Sequence, residues 1–136
     1  MAGYSGTPLV KKLGIKAGFK LYAKNPPSNY ADLIAPLPDG VRTLKRLSRE
    51  LDMIHIFSKS RAELTTVLPN YRQRIKQNGM IWISWPKKAS KVSTDVTEDV
   101  IRELIFPLGL VDVKVCAVNA VWSGLKVVIR KENRTR

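Results

Sequence analysis

The chain has 136 residues and a formal net charge of +13, from 24 Lys and Arg against 11 Asp and Glu, with 44% hydrophobic residues, one Cys and one His. That length predicts a single domain over residues 1–136 with a real core, and one cysteine excludes an internal disulfide framework or a multi-cysteine zinc site. With one His besides, a metal centre would rest on carboxylates alone, and none is expected. No apolar run approaches the ~20 residues of a membrane span, and the opening MAGYSGTPLVKK lacks a signal-peptide apolar region, so a soluble cytoplasmic protein with no membrane partner is expected.

A short N-terminal arm and helix is expected over residues 1–16, with Thr7 as cap, Pro8 at the first helical position and Gly14 as the stop. Phe19–Lys24 reads as a strand with Phe19, Leu21 and Ala23 on one face, and Asn25-Pro26-Pro27-Ser28 breaks it. Ser28 is expected to cap a short helix through Ala35, closed by Pro36 and Pro38. Asp39-Gly40 turns the chain into Val41–Leu47, a more polar strand placed near a sheet edge.

Asp52–Ser58 is apolar on both faces, as in a strand buried within a parallel sheet. Ser60 and Glu63 form a capping box for a helix carrying Leu64, Val67 and Leu68. Pro69 predicts a kink or restart, with a second segment Asn70–Asn78 ended by Gly79. Met80–Trp85 is a further strand. Asp95 and Glu98 provide another cap-like pair, before an amphipathic helix with Val96, Val100, Ile101, Leu104, Ile105 and Leu108 on one face. Val111–Val118 and Leu125–Arg130 are expected to form a hairpin, and Lys131–Arg136 a frayed basic tail.

Strands alternating with helices predict an α/β domain: a three-layer Rossmann-like open sheet, mainly parallel, with a C-terminal antiparallel hairpin.

Charge is the first functional signal. Eight basic residues and one acid, Glu63, fall between Lys59 and Lys91. Arg72, Arg74 and Lys76, read as one helix face, are either a solvated surface or a polyanion surface, and nucleic acid is one candidate partner. There is no zinc finger, aromatic RNA-binding strand motif or GxxG clamp, which disfavours sequence-specific reading.

The sharpest local feature is the loop Trp85–Asp95. It leaves the carboxyl end of a strand, where open α/β sheets bind ligands, and runs into a helix start. Lys87, Lys88, Ser90, Lys91, Ser93 and Thr94 form a candidate site for an anionic small molecule, the alternative being lysines that only solvate the loop. The loop Gly3–Pro8 lacks the lysine and spacing of a P-loop. The turn after the first strand, Lys24–Asn29, contains no glycine, which counts against the usual nucleotide cofactors, so no cofactor is expected.

No catalytic constellation can be assembled. His55 reads as a buried, hydrogen-bonded core residue and Cys116 as a small hydrophobe. Ser58 and Ser84 lack a nucleophile elbow, and Trp82, Trp85 and Trp122 read as core or rim anchors.

Two resemblances bear on this. YSGTPLVKKLGIKAG (Tyr4–Gly18), WPKKAS (Trp85–Ser90), TEDVIRELIFPLGLVDVKVCAV (Thr97–Val118) and Trp122–Lys126 resemble a family of small bacterial proteins catalogued as a domain of unknown function. That resemblance covers nearly the whole chain and implies a bacterial, cytoplasmic origin, but no activity. The second half is similar to the later half of class I adenosylmethionine-dependent methyltransferases. Leu51–Ile54 resembles their third-to-fourth strand region, Asn78–Trp82 the helix-to-strand turn, and Trp122–Arg130 their closing strands.

The expectation is therefore a Rossmann-like domain with an incomplete or repurposed cofactor crevice. Its main reading is a non-catalytic binding or regulatory module for an anionic ligand or partner. A methyltransferase-like enzyme with a non-standard cofactor pocket and a nucleic-acid-associated accessory protein are the alternatives.

Overall fold

The computed structural model describes residues 6–135. The chain forms α1 (Leu9–Leu13), β1 (Lys20–Lys24), α2 (Tyr30–Leu33), β2 (Arg42–Leu44), β3 (Leu51–Phe57), α3 (Arg61–Arg74), β4 (Ile75–Pro86), α4 (Glu98–Ile105), β5 (Leu110–Ala117) and β6 (Trp122–Ile129). Short 3₁₀ turns occupy Lys88–Ser90, Phe106–Leu108 and Lys131–Asn133. Gly3, Tyr4 and Ser5 of the N-terminal loop, and Arg136 of the tail, lie outside the described residues.

The six strands stand in the order β2-β1-β3-β4-β6-β5. β1 is parallel to β2 and β3, and β3 to β4, whereas β6 runs antiparallel to both β4 and β5. The chain starts at β1, moves outward to β2, then returns to β3 on the other side. The order therefore reverses between β1 and β3, and at such a point the loops leaving the two carboxyl ends part and open a crevice.

Both sheet faces are covered, which is why the central strands are apolar on both sides. Ile54 and Ile56 of β3 pack with Leu64, Leu68 and Tyr71 of α3 and with Ile101 and Ile105 of α4. Met53 and Phe57 point the other way, to Val10, Leu13, Tyr30 and Ile34 beside Trp82. Trp82 is fully buried, and its indole N–H donates to the Leu13 carbonyl at 2.9 Å, which pins α1 to the sheet.

Local differences from the sequence reading have identifiable causes. Pro8, not Thr7, is the residue before the first helix, and its cap has no side-chain hydrogen bond. Asn29 takes the place expected of Ser28, again without a side-chain cap. Pro69 lies inside one uninterrupted helix, α3, whose buried stripe Leu64, Leu68 and Tyr71 runs through it. That helix ends at Arg74, so Ile75–Asn78 belongs to β4 and Lys76 is on a strand. Leu51 pairs with Ile75 but Met53 with Met80, so β4 carries extra residues opposite Asp52. Gly79 sits in that bulge and is no helix stop. A Cβ there would stand 3.0 Å from the carbonyl oxygens of Leu51 and Lys76.

Among its described residues the tail, expected to fray, is tied down by hydrogen bonds. Asn133 Nδ2 donates to the Gly109 carbonyl, Arg134 Nε to that of Ile129, and the Thr135 amide to Gln77 Oε1.

Candidate functional site

The crevice at the reversal point measures about 560 Å³ and is lined by Asn25, Pro26, Pro27, Phe57, Lys59, Ser60, Glu63 and Trp122. Its two lips are the turns after β1 and β3. At the first, Asn25 takes a left-handed backbone (φ 55°), a conformation Asn tolerates better than most side chains, and Pro26 and Pro27 stiffen the rest of the turn. At the second, Ser60 caps α3 by accepting from the Glu63 amide at 3.1 Å.

Only half of the expected capping box forms. The Glu63 carboxylate accepts instead from Ser58 Oγ at 2.5 Å and from Asn25 Nδ2 at 3.2 Å, while the Ser60 amide donates to Ser58 Oγ at 3.1 Å. Glu63 thereby ties one lip to the other across the crevice. Trp122, from the start of β6, closes the side with its ring edge-on to Phe57 at 5.2 Å.

Beneath this lies a buried polar chain. Tyr30 Oη and Ser84 Oγ each lie 2.8 Å from a ring nitrogen of His55, and the imidazole stacks on Phe57 at 4.2 Å. Burial pushes the His55 pKa down to about 3 and raises that of the Tyr30 phenol, so both are neutral at pH 7. His55 and Ser84 are fully buried and do not reach the crevice. The buried-histidine reading agrees with this geometry.

The lysine-rich loop stands beside the second lip. Thr94 Oγ1 donates to the Lys59 carbonyl at 2.8 Å, and Asp95 Oδ1 accepts from the Arg61 amide at 2.7 Å. Asp95 therefore caps α3, not the helix after it in the chain; α4 is capped by Thr97, whose Oγ1 accepts from the Val100 amide at 3.2 Å. A cavity of about 400 Å³ involves Lys88, Lys91, Ser93 and Thr94 together with Trp85 and Val96. Ser90 Oγ turns inward to the Lys87 carbonyl at 2.6 Å, and Lys87 does not line the cavity.

The three residues read as one polyanion surface belong to two elements, α3 and β4, and keep different partners. Arg72 donates to the Leu108 carbonyl at 2.7 Å, Arg74 to Asn70 Oδ1 at 3.2 Å, and Lys76 pairs with Asp52 at 3.0 Å. Cys116 is half-buried, and its thiol pKa is raised by burial. Among the described residues no cluster of three His, Cys, Asp or Glu side chains could hold a metal ion, and no helix is long and apolar enough to cross a membrane.

No protein-family profile matches the chain, and no curated protein sequence does. The resemblance to a bacterial family of unknown function thus rests on the quoted residues alone. Solved structures do match. A SAM-dependent methyltransferase from Aquifex aeolicus superposes with a TM-score of 0.63 at 13% identity, over 93% of this chain and 90% of that one. Fibrillarin from Aeropyrum pernix, solved with natively bound S-adenosyl-L-methionine, superposes with a TM-score of 0.57 at 14% identity, over 93% of this chain and 70% of that one. Magnesium protoporphyrin IX methyltransferase from Synechocystis, with bound SAH, gives 0.54 at 12% identity, over 88% and 78%.

The crevice is large enough for a small-molecule ligand, and Phe57, Trp122, Pro26 and Pro27 give it apolar walls. Its polar fittings differ from those a nucleotide cofactor meets in Rossmann folds. Pro26 and Pro27 have no N–H to offer where a glycine-rich turn brings backbone donors to the ligand. Roughly 20 residues on, where an acid would take the ribose hydroxyls, Lys45 and Arg46 come after β2. These residues do not fit adenosylmethionine held in that manner. At this level of identity the neighbours establish the fold: a mixed six-stranded sheet with flanking helices, of Rossmann-like methyltransferase type, with an antiparallel C-terminal pair.

Proposed function

We propose that the chain is a methyltransferase-like protein with a non-standard crevice, and that its ligand is a flat heterocyclic small molecule, an adenosyl compound first among candidates. The observation that carries the reading is the position of the 560 Å³ crevice at the reversal point between β1 and β3, walled by Phe57 and Trp122. A planar ring would lie against Trp122 and the Pro26-Pro27 turn. Lys59, exposed and without a side-chain partner among the described residues, would meet a polar or negative edge of the ligand.

Calorimetric titration with adenosylmethionine, adenosylhomocysteine and adenosine tests this. Saturable heat for at least one, weakened about tenfold or more by Trp122→Ala, is expected. Flat titrations with all three would end the reading.

A second reading has its own observation: Lys88, Lys91 and Ser93 surround the 400 Å³ cavity and make no polar side-chain contact among the described residues. It assigns that cavity to a small anion.

A further inference from the structure

We propose that the end of the sheet opposite the crevice, where the parallel strands begin, is a nucleic-acid-binding face, centred on Arg49 and Arg74 and directed at the phosphate backbone. Helix α3 connects the two ends of the molecule: its first turn forms a lip of the crevice, and its last residue, Arg74, lies about 20 Å away at 1.5 Å per residue. There a hollow of about 380 Å³ is lined by Arg49, Glu50, Asn70, Gln73 and Arg74.

Cations gather around it from every neighbouring element. Lys20 begins β1 and reaches the Arg49 carbonyl with its Nζ at 3.0 Å; Arg42, beside it in register, begins β2; Lys76 is the second residue of β4. Against these five stand two carboxylates. Asp52 and Lys76 pair at 3.0 Å and cancel, Asp52 also accepting from the Lys20 amide at 2.8 Å, which leaves four cations and Glu50. Asn70 Oδ1 takes the Arg74 Nε and so orients that guanidinium, whose terminal nitrogens make no other hydrogen bond among the described residues.

Paired planar guanidinium forks suit phosphate oxygens, and Asn70 and Gln73 add neutral donors of the kind that hydrogen-bond to phosphate and sugar. No aromatic side chain lines the hollow, so bases have no stacking platform and binding is indifferent to sequence. A net charge of +13 adds long-range attraction to a uniformly anionic polymer. Arg72, spent on the Leu108 carbonyl, takes no part.

Fluorescence anisotropy with a labelled single-stranded RNA 20-mer, from 50 to 200 mM salt, tests the assignment. Expected is a log–log salt slope that Arg49→Gln/Arg74→Gln makes shallower by about 1.4, roughly 0.7 for each lost contact. Lys11→Gln/Lys131→Gln, which removes as much charge elsewhere, is expected to leave the slope within about 0.3 of the wild type. If Arg74→Gln lowers the thermal midpoint, Arg42→Gln/Arg49→Gln replaces it, with the same expectation. No binding at 50 mM salt, equal losses in both pairs of variants, or displacement of RNA by polyglutamate at equal charge would each overturn the proposal.

Discussion

His55 and Ser84, on the neighbouring parallel strands β3 and β4, meet at 2.8 Å with both side chains fully buried. Burial, not the bond, keeps the ring neutral, by lowering its pKa to about 3 from the ordinary 6.5. Between those values the unfolded chain binds a proton that the native protein does not. Stability from this group is complete above pH 6.5 and is lost as pH falls toward 3. From pH 7.5 to pH 5 the loss is about 2 kcal/mol, at roughly 1.4 kcal/mol per unit below 6.5. Urea midpoints at the two pH values should separate in the wild type and converge in His55→Gln. Parallel pH dependence in the two proteins would show that another group is responsible.

Asp95 caps a helix that begins 34 residues before it. Asp95→Ala should cost about 1 kcal/mol, seen as a lower urea midpoint with unchanged m. It should also loosen the Lys59–Arg61 lip, so the crevice ligand should weaken in step. An unchanged midpoint would remove Asp95 from this role.

The strands and the amphipathic α4 are legible in the sequence because their signals are local: β3 is apolar on both faces, and Ile101 and Ile105 lie one turn apart. Pro69 misleads because its ring interrupts one hydrogen bond while Leu64, Leu68 and Tyr71 continue to bury, and packing prevails over the local penalty. Gly79 looks like a helix stop because glycine serves helix ends and crowded bulges alike, and only the nearby Leu51 carbonyl distinguishes them. The crevice is not legible as a site. Its walls come from three segments, around Asn25, Phe57 and Trp122, and strand order alone brings them together. By itself, Lys24–Asn29 signals only a missing glycine. Asp95 does carry a cap signal, but nothing in the sequence says which helix it serves.

Gly79→Ala should be more damaging than an ordinary substitution in a strand. The new methyl would press on two carbonyl oxygens at 3.0 Å and on Ile75 Cβ at 3.1 Å, and backbone cannot swing aside as a side chain can. A loss of about 1–3 kcal/mol is expected by denaturant titration. A neutral result would mean that the bulge opens freely.

The lysine loop makes a separate prediction. If its cavity holds a small anion, inorganic phosphate should raise the thermal midpoint by a few degrees at saturating concentration, and Lys88→Ala/Lys91→Ala should abolish the rise. A rise of equal size in that variant would assign phosphate elsewhere.

Amide chemical-shift mapping during titration with adenosylhomocysteine tests the crevice most directly, because it reports place as well as binding. Ligand seated there should move the amides of Asn25, Phe57, Lys59, Ser60, Glu63 and Trp122, which share its lining, while those of Lys88–Ser93 move less. Shifts confined to the lysine loop, or none at saturating ligand, would contradict the assignment of this crevice as the binding site.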